Sequence, residues 1–262
     1  MSELLTVERR DLPSGDVAVW ITMRRERRLN ALDTAQTERL TAAFEGLADD
    51  RGVRAVVLTG TGRGFIGGAD IDELGELDET SGRRFISDLH RLITAIRRCP
   101  APTIAAINGF CLGGGLEVAA ACDLRVASDA ARFGMPEVRV GLPSVIEAAL
   151  LPRLVGWGKA AEIVLTANQI DAEEAQRIGL VQKVVRADAL NDAAEAWLAD
   201  LDAAGPEALR AQKALLRRWE SEPLERAVAA GIQQFAEVCR SGEPVRMVAA
   251  FKAERAAAKA KG

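Results

Sequence analysis

The segment "VRAVVLTG" at 53–60 is apolar at nearly every position. A strand that uniform is stable only when both of its faces are covered. "VAVWITM" at 17–23, "TIAAING" at 103–109 and "DLRVAS" at 123–128 also read as strands, rich in branched residues. Helix patterns fall between them. Asp33 or Thr34 can cap a helix running to about Ala48, a second spans about Arg83 to Arg98 before Pro100 and Pro102 end it, and a short third covers about 115–121. Alternation of this kind predicts an α/β fold around a buried sheet. No fixed-period sequence repeat accompanies it.

The pattern changes near residue 190, where strand signals give way to successive helices broken near Gly205-Pro206 and at Pro223. The expected division is a core over 1–190 and a helical region over 191–262. A formal charge of −4, with no basic block beyond a short arginine cluster, argues against a nucleic-acid partner. No apolar run reaches the length of a membrane span, and "MSELLTVERRD" lacks the basic-then-apolar order of a secretory leader. Cys99, Cys111, Cys122 and Cys239 show no CxxC spacing and lie in apolar settings, so they read as reduced core thiols of a cytoplasmic protein. The single histidine, His90, reads as a helix-surface or packing residue, which leaves little room for a Ser-His-Asp triad or a zinc site. There is no tyrosine. Carboxylates are therefore the natural acid and base candidates.

Two glycine turns follow strands: "GFIGGAD" at 64–70 and "GFCLGGGLE" at 109–117. Each lets a backbone N–H approach a ligand unobstructed by a side chain. The second also opens a helix, whose first N–H groups lack internal partners. Two such donors aimed at one oxygen make an oxyanion hole. Neither turn matches a Walker loop. On glycine count alone, ordinary strand-to-helix turns would look the same. The neighbouring carboxylates favour chemistry: Glu117 lies in an alanine-rich helix, and Glu137 follows Pro136 in "FGMPEV". A desolvated carboxylate has a raised pKa and becomes a useful acid or base.

The chain resembles the crotonases, the enoyl-CoA hydratase/isomerase superfamily. "RLNALD", "VRAVVLTGTGRGFIGGADI", "PTIAAINGFCLGGGLEVAAACDLRVAS", "FGMPEVRVGLP", "LPRLVGWGKAAEIVLT" and "DAEEAQRIGLVQKVV" carry the likeness in family order across residues 17 to 185. It implies the ClpP/crotonase-like spiral of ββα units with a C-terminal helical trimerisation region, assembled as a homotrimer or homohexamer. It implies an acyl-CoA substrate, with no cofactor or metal, because coenzyme A arrives as part of the substrate. The oxyanion donors map to the N–H groups of Ala69 and Gly114. The two hydratase glutamates map to Glu117, which helps water attack Cβ, and Glu137, which relays the proton at Cα. Substrate and CoA contacts map to Arg25, Arg27, Arg28, Ala31, Gly67, Gly68, Asp70, Ile71, Gly113 and Leu142. The implied activity is that of an enoyl-CoA hydratase. Another crotonase reaction (isomerisation or thioester hydrolysis) and a non-catalytic CoA-binding role are the alternatives.

Two missing features and two departures from the family pattern bear on this. A dienoyl-CoA isomerase would carry an aspartate where Val145 stands, and the tyrosine-dependent members are excluded by composition. The glycine-rich stretch common after the second glutamate is replaced by "LPSVIEAALLP" at 142–152, in which Ser144-x-x-Glu147 fits a capping box. "FIGGAD" adds Gly68 to the first turn, which is expected to loosen that loop.

Overall fold

A computed structural model describes residues 4–261. Among the described residues, ten strands form two sheets. They are β1 (Leu5–Asp11), β2 (Val17–Met23), β3 (Val53–Gly60), β4 (Gly64–Ile66), β5 (Thr103–Ile107), β6 (Phe110–Leu112), β7 (Leu124–Ser128), β8 (Arg132–Gly134), β9 (Ile170–Asp171) and β10 (Lys183–Val185). The larger sheet has the order β1-β2-β3-β5-β7-β10 and the smaller β4-β6-β8-β9. Only β1/β2 and β8/β9 are antiparallel.

The two sheets advance together. β3, β5 and β7 pair in parallel, with Val57 opposite Ile104 and Ile104 opposite Leu124. Each is followed within a few residues by its short partner β4, β6 or β8, which pair in parallel with one another. The chain thus climbs one strand per turn in both sheets. β3 and β5 are buried throughout except for Gly60, as strands covered on both faces must be.

Two helices, Thr34–Glu45 and Glu79–Arg98, pack on each other. The first begins where Asp33 accepts from the Gln36 N–H, and it stops at Gly46, earlier than the sequence suggests. The second begins four residues before the expected start, because Asp78 and Ser81 form a reciprocal capping box. Its buried Phe85, Leu89, Leu92, Ile93 and Ile96 make one apolar stripe. β1 lacks an apolar strand signal because "LTVERRD" carries mostly charged side chains on an edge strand.

The chain divides into two compact units, Met1–Leu198 and Ala199–Gly262. The second holds helices Pro206–Ser221, Leu224–Arg240 and Glu243–Lys261. Within it, the buried Glu243 carboxylate accepts from the N–H groups of Glu207 and Ala208, capping the helix that Pro206 opens. Cys99, Cys111 and Cys122 are buried, but Cys239 is exposed on the 224–240 helix, so it is not a core thiol. No described helix is long and apolar enough to cross a membrane.

Candidate active site

The site forms where the two glycine turns meet. β6 ends at Leu112, and the helix Gly114–Ala121 starts two residues on. Gly113 makes the turn with φ of 51° and ψ of −125°, a conformation open to glycine, and its N–H donates to Gly134 O in β8. Gly115 answers a different need: a Cβ there would lie 2.1 Å from the Ile66 carbonyl oxygen, so only glycine lets the helix lie against β4. Gly114, between them, is the first helical residue. Its N–H belongs to the set that no intrahelical carbonyl can reach.

The other turn runs alongside. Leu32 bridges Ala69 in parallel, with the Leu32 N–H donating to Gly68 O and the Asp70 N–H donating to Leu32 O. In such a bridge the opposed residue turns its own N–H and C=O to the far side. The Ala69 N–H is therefore not used by that bridge. Gly68 and Gly113, which precede the two donors, approach closely: a Cβ on Gly113 would lie 3.8 Å from Gly68 Cα. Gly67 donates to Leu29 O at 2.8 Å. The added glycine does not loosen this loop, because main-chain bonds to Leu29 and Leu32 pin it.

Glu137 reaches the Gly113 turn, and Glu117 lies in the helix that this turn opens. The same Cβ on Gly113 would lie 2.4 Å from Glu137 Oε1. Glu137 opens the short 3₁₀ turn Glu137–Val140 after β8, and its Oε2 accepts from Ser144 Oγ at 2.8 Å. Glu117 stands one helical turn beyond Gly114 and is only 4% exposed. Its Oε1 accepts from the Ala148 N–H at 2.7 Å. Burial pushes its pKa from 4.5 to about 8; the Ala148 N–H opposes this, and the charges of Glu137 and Glu147 add to it.

The 142–152 stretch departs from expectation. Ser144 and Glu147 do not form a capping box. The 3₁₀ turn Ile146–Leu150 has Val145 at its cap position with no side-chain bond, so Ser144 falls one residue too early and turns to Glu137 instead. Glu147 is buried and meets His90 Nδ1 at 2.9 Å, so the histidine of the 79–98 helix has a carboxylate partner. Spacing alone does not reveal these contacts, because each joins residues brought together only by packing.

The remaining candidates fall around the rim. The Arg25 guanidinium is engaged inside the protein, with Ala31 O at 2.9 Å, Asp70 Oδ2 at 2.7 Å and Asp33 Oδ2 at 3.0 Å. Burial opposes ionisation of Asp70, but hydrogen bonds from Arg25 and the Asp72 N–H outweigh it and hold this carboxyl below its usual value. Arg27 and Arg28 are exposed, the latter paired with Asp72 at 2.6 Å. Ile71 and Leu142 present exposed apolar side chains, and the Leu142 N–H donates to Glu137 O.

The sequence profile of the enoyl-CoA hydratase/isomerase family matches residues 14–258. The chain belongs to the enoyl-CoA hydratase/isomerase family. A short-chain-enoyl-CoA hydratase of Clostridium acetobutylicum is 37% identical over 92% of this chain and 93% of its own length. A crotonyl-CoA hydratase of Syntrophomonas wolfei is 36% identical over 80% of this chain and 82% of its own. The crystal structure of an enoyl-CoA hydratase from Bacillus anthracis superposes with a TM-score of 0.91 at 30% identity, covering 96% of this chain and 97% of that one. The α/β architecture with its two mixed sheets and C-terminal helices is thus the fold of the enoyl-CoA hydratase/isomerase family, and the chain is an enzyme of that family.

Proposed function

We propose that the protein adds water across the 2,3 double bond of a 2-enoyl-CoA, giving a 3-hydroxyacyl-CoA. The observation that carries this reading is that Glu137 Oε1 lies against Gly113, close enough to the buried Glu117 for the two charges to interact. The names of the curated relatives, which include short-chain-enoyl-CoA and crotonyl-CoA hydratases, point the same way.

The chemistry follows from the arrangement. The thioester oxygen sits between the N–H groups of Ala69 and Gly114. As the water oxygen bonds to Cβ, the C=C electrons move toward that oxygen and the donors stabilise the enolate-like charge. One such donor contributes about 3 kcal/mol to the transition state. Glu117 takes a proton from the attacking water, and Glu137 delivers one to Cα. The proton gained by Glu117 must then return to Glu137 before the next turnover. No electrons leave the substrate, so the reaction calls for no redox cofactor, and CoA enters as part of the substrate. Arg27 and Arg28 are the exposed cations assigned to the CoA phosphates, whereas Arg25 supports the loop beneath them through Asp33 and Asp70.

The test is loss of conjugated-thioester absorbance from crotonyl-CoA and longer enoyl-CoAs. Turnover by the wild type and none by the Glu117→Gln/Glu137→Gln double variant is expected. Equal rates for the two proteins on every chain length would sink the reading. Mass spectrometry separates it from its family alternatives: the expected product gains one water and keeps its CoA, whereas isomerisation leaves the mass unchanged and hydrolysis releases CoA.

A further inference from the structure

His90 and Glu147 have no part in the reaction as written. Their placement gives them one. Glu147 is buried in the 146–150 turn, its side chain 10% exposed. Burying a carboxylate is costly unless it is hydrogen-bonded. Its partner is His90, whose Nδ1 spans both oxygens at 2.9 and 3.2 Å. Against an ionised carboxylate, which can only accept, Nδ1 is the donor. The 146–150 turn packs against both the 114–121 helix and the 79–98 helix. The residue after Glu147 is Ala148, whose N–H binds Glu117 Oε1 at 2.7 Å. One short turn therefore holds the pair on one side and the candidate catalytic carboxyl on the other.

We propose that His90 and Glu147 are a positioning pair that controls the proton on Glu117. Glu147 supplies a negative charge near Glu117, and His90 fixes that charge in place. By anchoring the turn, the pair also keeps the Ala148 N–H on Glu117. The charge of Glu147 acts on Glu117 in the direction that favours its proton.

The other groups facing Glu117 are few. Glu137 approaches from the 137–140 turn and also favours its proton. From β6, the Cys111 thiol is committed to Gly115 O. At the far end of the 114–121 helix, the Arg125 guanidinium is committed to the carbonyls of Ala119, Cys122 and Leu180. On the 79–98 helix, Arg91 pairs with Glu45, and Arg84 with Asp88. His90 is that helix's group directed at the 146–150 turn by a hydrogen bond.

The inference rests on Glu117 being a reacting carboxyl, yet its test does not depend on turnover. The full-length protein, labelled with ¹³C at the glutamate carboxyls, is titrated by NMR without ligand. The Glu117 signal is assigned by its loss in Glu117→Gln. Glu147→Gln keeps an acceptor for His90 and removes the charge, so the Glu117 midpoint should fall by about 0.5 pH unit or more. His90→Leu, at an exposed position of the 79–98 helix, should displace the midpoint in the wild-type background, where it frees the Glu147 charge and loosens the turn, and by less in the Glu147→Gln background, where only the anchor is lost. It also serves if Glu147→Gln does not fold. Midpoints within about 0.3 pH unit of wild type in every folded variant would overturn the proposal. Failure of the wild type to hydrate any enoyl-CoA would instead sink the hydratase reading and leave the titration result standing.

Discussion

At the scale of single residues, Glu117 concentrates the physics of the site. Its pKa stands at about 8 because burial disfavours the anion more than the Ala148 N–H favours it. A base of that strength is potent near neutral pH but must first be ionised. If Glu117 accepts the proton from water, kcat/KM should climb about tenfold per pH unit below pH 8 and level off above it. A profile that instead falls above pH 8 would assign the acid's role to Glu117 and the base's to Glu137. The same shift affects stability. Below pH 4.5 both folded and unfolded states carry this proton; between 4.5 and about 8 only the folded state does. Unfolding in that window releases a proton, so the Glu117 contribution is whole below 4.5 and is lost as pH rises through 8. At about 1.4 kcal/mol per pH unit the loss is on the order of 5 kcal/mol. Glu117→Gln removes this dependence. Its thermal midpoint should match wild type at pH 4.5 and exceed it clearly at pH 8.5, as calorimetry would read.

Single elements show why the glycine turn has its composition. The three glycines of the 113–115 run have different tasks: conformation at Gly113, a free N–H at Gly114, and contact with β4 at Gly115. Gly115→Ala drives a Cβ to 2.1 Å from the Ile66 carbonyl, which is backbone and cannot swing aside. The variant should lose about 1–3 kcal/mol of stability in denaturant unfolding. It should also lose turnover, because the shifted helix carries both Gly114 and Glu117. A loss of stability with full activity would show that the site tolerates that shift. Much of this element is legible in the sequence, since a glycine run between an apolar strand and an apolar helix marks a tight turn with close backbone approach. The apolar strands β2, β3, β5 and β7, and the existence of the helices between them, are legible for the same local reason. The three-residue strands β4, β6 and β8 are not, because their pairing is set by long-range register rather than by any periodicity they could display. Ser144 misleads for a related reason. Its spacing to Glu147 fits a cap, but the turn starts at Ile146, and packing delivers Ser144 to Glu137 and Glu147 to His90. Contacts between residues 7 and 57 positions apart leave no local signature.

For the whole molecule, the telling surface lies on the 224–240 helix. Leu224, Val228, Ile232 and Phe235 recur at helical spacing, and all four are exposed. Val245, Val248 and Phe251 add exposed apolar side chains on the 243–261 helix. A monomer seldom leaves so many large apolar groups in water. The resemblance to crotonases supplies an occupant, further copies of the same chain, and we propose a homotrimer or a pair of them. Covering one such side chain contributes about 1.5–3 kcal/mol, so a few of them at a shared interface outweigh much of the entropy of association. Light scattering on the purified chain should give a mass three or six times 28.0 kDa. Ile232→Glu/Phe235→Glu places two carboxylates on the face and should shift the mass toward that of the monomer. Because both side chains are exposed on the 224–240 helix, helix content should be retained. A mass of 28.0 kDa for the wild type at every concentration would remove the assembly and leave this apolar face to another partner.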